Sequence, residues 1–340
     1  MAEKIRWGII GTGRIAGIFA KSLEESERGK LIAVASRSKE KASKFADEYG
    51  IPLHFGNHQD LLNNENVNAV YIATPHSFHS EIAMRAAKSG KDILCEKPFT
   101  INYSQAKTAI DVIRKSKVFF MEAFMYRTHP QTKKILDLIR EKKIGDVRVI
   151  DAKFSFNAGN NPESRLFNST LGGGGILDVG CYCTSMARLI AGVAIGKDFV
   201  EPIEIKGVAH IGEETLVDEY AIALLKFPKK IIARISTGIT VNQDNDLKIY
   251  GSKGKIVVPK PWHPEKKSSI FVHYDDGGDE EIIVKCDKNI YAIEADYMAE
   301  NINNLRAKPP AMTPEDTLGN MKTLDMWRKS IGLVLDSDIY

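Results

Sequence analysis

The chain has 340 residues, 43% hydrophobic and 27% charged, and its 47 Lys and Arg against 44 Asp and Glu leave a formal net charge of +3. That length exceeds the size at which one hydrophobic core stops growing and predicts two domains, while charge so evenly spread excludes the basic footprint of a nucleic-acid binder. No low-complexity tract or fixed-period repeat suggests a disordered tail or a solenoid, no apolar run reads as a membrane span, and Met1 to Trp7 lacks the segments of a secretory signal.

The first third alternates short β-branched runs with helical patterns, which predicts parallel strands joined by crossover helices. Six strands are expected, at Ile5 to Ile10, Lys30 to Ser36, Leu53 to Phe55, Ala69 to Ala73, Asp92 to Cys95 and Val118 to Met121. Glu81 to Ser89 and Ser104 to Lys115 carry apolar residues at helical spacing between them. The result is a doubly wound α/β domain over residues 1–124, with a boundary near 122 to 128.

Beyond it, a helix from Pro130 to Lys142 precedes β-rich stretches at Val147 to Asn157, Glu219 to Phe227 and Lys230 to Val241. Turns at Phe227-Pro228-Lys229-Lys230 and Asp276-Gly277-Gly278-Asp279 suit antiparallel hairpins. Helices are expected at about Asp178 to Ala191 and Tyr291 to Arg306, and Thr313 followed by Pro314 announces a last one. Residues 125–340 therefore read as an α+β domain with a large, mostly antiparallel open sheet.

Immediately after the first strand stands Gly11-Thr12-Gly13-Arg14-Ile15-Ala16, a G-x-G-x-x-A pattern opening a helix. The first glycine permits the tight turn, the second lets a pyrophosphate approach the backbone, and the small third residue lets helix and strand pack closely. This is a dinucleotide site of the Rossmann kind. At the end of the second strand, where an NAD enzyme offers an acidic residue to the ribose, the chain reads Ala35-Ser36-Arg37-Ser38 with Lys41 one turn on. A hydroxyl and cations there suit a 2′-phosphate, so NADP is favoured over NAD.

The fourth and fifth strands end in Ala73-Thr74-Pro75-His76-Ser77-Phe78-His79 and Cys95-Glu96-Lys97-Pro98, and a Gly-Gly-Gly-x-x-x-Asp-x-Gly-x-Tyr stretch follows from Gly172 to Tyr182. With the glycine turn, these motifs resemble the Gfo/Idh/MocA oxidoreductase family over essentially the whole chain. Glu122-Ala123-Phe124-Met125-Tyr126-Arg127 and the tyrosine-bearing motif look most like its dihydrodiol dehydrogenase and D-xylose dehydrogenase branch. The resemblance implies hydride transfer between a nicotinamide and a carbinol carbon of a sugar, polyol or cyclic trans-diol. It implies Lys97 beside the nicotinamide, presented by Pro98, with Thr74, Pro75, His79 and Glu96 bordering the cofactor. It gives Asp178 and Tyr182 substrate-facing or catalytic roles, and a homodimer or homotetramer is expected on the same ground. Many family members carry histidine where this chain has Tyr182, which leaves open whether Lys97 or Tyr182 makes the final proton transfer.

Physical chemistry agrees with those roles. A hydroxyl gives up hydride only as its proton leaves, so a base must lie within hydrogen-bond reach. Desolvation and a positive ring nearby would lower the lysine's pKa toward that use. If a helix begins near Asp178, Asp178 and Tyr182 share one face four residues apart. Tyr126, Asn157 and Arg165 are further candidates for substrate contacts, within and before a pocket loop from Asn157 to Leu171. His76 and His79 lack further ligands in sequence to complete a metal shell, and Cys95, Cys181, Cys183 and Cys286 fit neither a disulfide framework nor zinc spacing. No metal and a cytoplasmic, thiol-reduced setting are expected. Two other readings are a redox-neutral NAD-dependent glycosidase, against which the 2′-phosphate site speaks, and a non-catalytic dinucleotide or sugar sensor.

Overall fold

The computed structural model describes residues 4–159, 161, 163–335 and 338. Met1 to Glu3, part of the stretch expected to lead into the first strand, lie outside the described residues. The chain divides into two compact units, each considered by itself. The first comprises Met1–Thr100, Ser104–Thr128 and Asp287–Thr317, and the second Ile101–Tyr103, His129–Cys286 and Leu318–Tyr340.

In the first unit the strands are Ile5–Ile10 (β1), Gly29–Ala35 (β2), Leu53–Phe55 (β3), Ala69–Ile72 (β4), Asp92–Glu96 (β5) and Phe120–Ala123 (β6). They pair in the order β3-β2-β1-β4-β5-β6, every pair parallel. Five of the six begin and end within a residue of the expected positions. The last starts two residues later than Val118, because the run Val118 to Phe120 is apolar throughout and carries no mark of where pairing begins. Helices Arg14–Ser22 (α1), Lys39–Tyr49 (α2), His58–Asn63 (α3), His79–Lys88 (α4) and Tyr103–Ser116 (α5) make the connections. All four residues of β4 are buried, as they must be where both faces of a parallel sheet are covered.

The pattern of the second unit is of the other kind. Its strands are Val149–Ser155 (β7), Glu204–Ile211 (β8), Asp218–Lys226 (β9), Ile232–Gly238 (β10), Leu247–Tyr250 (β11), Gly254–Val258 (β12), Lys267–Tyr274 (β13) and Asp279–Lys285 (β14), with helices Pro130–Arg140 (α6) and Cys181–Ala194 (α7). The sheet order is β14-β13-β12-β11-β7-β10-β9-β8, antiparallel except for the β7–β10 pair. Both expected hairpins form, β9–β10 and β13–β14. In β9 buried and exposed residues alternate from Tyr220 to Lys226, the signature of a sheet with one covered and one open face. The segment Ser169–Ala194 has the length and apolarity of a membrane span, which the sequence reading passed over, yet it is buried within the protein.

A single boundary near residue 124 does not describe this division. Helix Ile290–Asn301 (α8) belongs to the first unit, where Ala295 and Met298 join a core with Trp7, Phe19 and Tyr71. The helix itself was legible, but no local pattern names the sheet on which an apolar stripe packs. The last helix, Pro314–Ser330 (α9), starts as expected, with the Thr313 hydroxyl accepting from Asp316 N at 3.1 Å.

Candidate functional site

In the first unit, Gly11 leaves β1 with φ +114°, and a Cβ there would stand 2.6 Å from the Ala73 carbonyl oxygen. Glycine is therefore required both by conformation and by the approach of the neighbouring strand. Gly13 caps α1 in an extended conformation with no side chain on the first N–H groups, and a Cβ on it would meet open space. Those amides and the helix dipole face outward as an anion site. Ala16 is fully buried, as the third small position demands.

The turn opens into a cavity of about 660 Å³ lined by Gly11, Thr12, Gly13, Ser36, Arg37 and Lys41, and farther on by Thr74 and Pro75. Eight of the thirteen expected cofactor residues are thus brought to one place. Arg14, Ile15, His79, Glu96 and Lys97 do not line it. Ser38 caps α2 by accepting from Lys41 N, and the Arg37 guanidinium lies 5.8 Å from the Phe78 ring centroid. His58, Glu81 and Arg85 also line the cavity, and none of the three was picked out in the sequence.

The Glu96-Lys97-Pro98 element is held by hydrogen bonds from three directions. His79 is buried, with Nδ1 3.0 Å from the Pro98 carbonyl oxygen and Nε2 2.8 Å from that of Thr74. Tyr71 Oη donates to Glu96 Oε1, and Lys97 N donates to Glu96 Oε2 at 3.2 Å. Phe99 N donates to Glu122 Oε1 at 2.8 Å. Burial pushes the Glu122 carboxyl up to about 8, so it is largely protonated at neutral pH. Lys97 itself is half-buried, and its bond to Pro98 is cis. Tyr126 is fully buried, edge-on to Phe124.

In the second unit, the expected helix does not start at Asp178. Ile176–Gly180 forms a π-turn that runs into α7, so Asp178 lies in the wider turn and Tyr182 in the first turn of the α-helix. Both are buried. Asp178 accepts from Arg165 Nη2 at 2.8 Å, which turns two separate candidates into an ion pair. Tyr182 packs edge-on against Phe154 and Trp262, at 5.1 and 6.0 Å between ring centroids. Asn157 is exposed, its side-chain oxygen accepting from Gly159 N.

Asp218 on β9, not foreseen, anchors this turn: its Oδ2 accepts from Ile176 N at 2.6 Å. Burial pushes its carboxyl up to about 7. Burial also raises the Cys95 and Cys183 thiols well above their ordinary range, which makes them unreactive core groups. Among the described residues no group of three or more His, Cys, Asp or Glu could hold a metal ion.

A doubly wound parallel sheet with a glycine turn at β1, its helix capped by no side chain, defines a dinucleotide-binding domain, and comparison with known proteins makes it that of an oxidoreductase. Residues 5–124 match the oxidoreductase family with NAD-binding Rossmann fold, and residues 132–257 match the GFO/IDH/MocA C-terminal domain. The chain belongs to the Gfo/Idh/MocA oxidoreductase family. It is 34% identical to trans-1,2-dihydrobenzene-1,2-diol dehydrogenase of Xenopus tropicalis over 271 residues, covering 79% of this chain and 78% of that one. The mouse (Mus musculus) enzyme of the same name is 33% identical and covers 76% of each. Among solved structures, the 3-ketoreductase KijD10 from Actinomadura kijaniata, in complex with NADP and TDP-benzene, superposes with a TM-score of 0.86 at 25% identity over 97% of this chain and 98% of that one.

Proposed function

We propose that this protein is an NADP-dependent dehydrogenase that moves a hydride between the nicotinamide and a carbinol carbon of a sugar, polyol or cyclic trans-diol. The observation that carries the reading is the end of β2, where Ser36, Arg37 and Lys41 line the dinucleotide cavity and no acidic residue stands to accept a ribose hydroxyl. The dihydrodiol dehydrogenase relatives and the NADP-bound ketoreductase support the same substrate and cofactor classes.

The residues present fit a dinucleotide. Gly11 and Gly13 leave room for the pyrophosphate at the α1 N-terminus, and Arg37 and Lys41 offer charge to a 2′-phosphate. When bound, the cofactor supplies the hydride acceptor or donor. Lys97 and Tyr182 share the proton of the substrate hydroxyl, and Asp178 orients the lysine or the hydroxyl. Arg165, paired with Asp178, holds that side chain in place. His79, Glu96 and Glu122 fix the backbone that presents Lys97.

We further propose a cytoplasmic homo-oligomer, dimer or tetramer, formed on the open face of the second unit's sheet. Val208, Tyr220, Ile222 and Leu224 are exposed there, with Val208 directly across from Ile222. Four free cysteines, three of them buried, suit a reducing compartment.

Fluorescence titration with NADPH and NADH, followed by an absorbance screen at the nicotinamide band against polyols, aldoses and cyclic diols, tests the reading. Preference for NADPH with turnover of any of them is expected. Tight dinucleotide binding without net cofactor turnover would instead favour the glycosidase or the sensor, and no binding would remove the function altogether.

A further inference from the structure

Beside Arg37, already assigned to the 2′-phosphate, His58 and Arg85 line both the dinucleotide cavity and an adjoining cleft of about 340 Å³, which these three form with Gly56, Asn57 and Gln59. Three elements meet at this junction: the β2–α2 loop, α3 and α4. Resting on the NADP reading above, we propose that His58 and Arg85 are ligands of the 2′-phosphate, and that His58 takes up a proton as the phosphate binds, so that selection of NADPH over NADH strengthens as pH falls.

The charges around His58 set up this response. Burial, with the Arg37 and Arg85 guanidiniums, holds its imidazole below the ordinary value, and Glu81 on α4 acts the other way more weakly. Lys41 lines the same cavity, and Glu81 is the one carboxylate among the described residues that line it. The strands packed against α3, β2 and β3, put no charged side chain into the lining. On its own helix, Asp60 is engaged by the Asn57 side chain through Nδ2 at 2.6 Å. The neutral form of His58 is therefore favoured in the free protein.

A phosphate monoester brings nearly two negative charges at neutral pH. Set among Arg37, Lys41 and Arg85, it cancels the field that keeps the proton off His58 and replaces it with one that favours the imidazolium. Arg85 can be recruited at little cost. Its ion pair with Glu81, at 2.6 Å, joins two half-exposed side chains four residues apart on one helix, and such pairs are worth little. A cofactor without the 2′-phosphate gives His58 no reason to titrate.

Calorimetric titration of the full chain with NADPH and NADH tests this, for wild type, His58→Gln and Arg85→Gln, between about pH 8 and about pH 6.5, where imidazole titrates and the monoester's second ionisation at about 6 interferes least. The wild type should bind NADPH about fivefold tighter at the lower pH, with net proton uptake seen by comparing buffers of different ionisation heat, and NADH equally at both. His58→Gln should abolish that dependence, and Arg85→Gln should weaken NADPH about tenfold while sparing NADH. An NADPH preference independent of pH, or a His58→Gln protein that loses affinity for both cofactors alike, would overturn the inference and leave the NADP reading standing. Absence of any NADPH preference in the wild type would overturn the reading itself. Unchanged thermal midpoints confirm that the variants fold.

Discussion

At the scale of single residues, the two proposed proton carriers stand on different supports. Lys97 is presented by a backbone to which His79, Glu96 and Glu122 contribute hydrogen bonds, none of which involves the lysine side chain. Lys97→Met should therefore keep NADPH affinity within about threefold and lose at least about a hundredfold in kcat, the size of a general acid–base contribution, as steady-state kinetics would show. Asp218 acts on backbone. Its buried carboxyl titrates at about 7 in the folded protein, above the usual ~3.9, so the native state holds the proton more tightly than the unfolded chain. The stability this contributes is complete below about pH 4 and is lost as pH rises through about 7, to an extent of up to about 4 kcal/mol. Asp218→Asn can still accept from Ile176 N but cannot ionise. Its thermal midpoint should fall less than the wild type's between about pH 4.5 and about pH 7.5, and equal slopes in a pH series of melts would show that Asp218 carries no such linkage.

At the scale of elements, the glycine turn and the π-turn show how local geometry makes a site. Gly11 meets the Ala73 carbonyl so closely, at a φ that disfavours side chains, that Gly11→Ala should cost about 1–3 kcal/mol and abolish dinucleotide binding, measurable by thermal melting and fluorescence. Retained NADPH affinity in that variant would mean that the turn is not the pyrophosphate cradle. The glycine turn was readable because strand, turn and helix follow one another within a few residues. The turn at Asp178 was not. A π-turn has no sequence signature that distinguishes it from the first turn of an α-helix, and what fixes it here includes the Asp218 carboxylate on Ile176 N, from a strand 42 residues away. The Arg165–Asp178 pair was missed for a related reason, since a 3₁₀ turn at Arg165–Phe167 gives no periodicity from which to infer a partner.

At the scale of the whole molecule, two features matter most. One is the return of the chain at Asp287–Thr317 to the first unit, which means that the first unit's core depends on residues far along the sequence. The other is the open face of the second sheet. Val208, Ile222 and Leu224 expose more than half of their surface, a large apolar patch for an isolated chain. Ile222→Lys should convert an oligomer to a smaller species in sedimentation velocity with the melting transition intact, because the substitution removes an exposed apolar contact and opens no cavity. An unchanged sedimentation coefficient would show that this face carries no subunit interface.

The sequence by itself determined the class of both sheets, five of the six parallel strands nearly to the residue, both hairpins, the cap of the last helix and the glycine turn with its neighbouring cations. Each of these is set by interactions within a few residues: side-chain alternation, glycine's access to positive φ, and a hydroxyl on the first N–H groups of a helix. Only the tertiary structure decided that α8 packs in the first unit, that His58 and Arg85 join Arg37 at one cavity, that Glu122 supports the segment after Pro98, and that Asp218 pins the turn carrying Asp178. In each case the partners lie on separate elements, and the burial that shifts Glu122 and Asp218 exists only once those elements have packed.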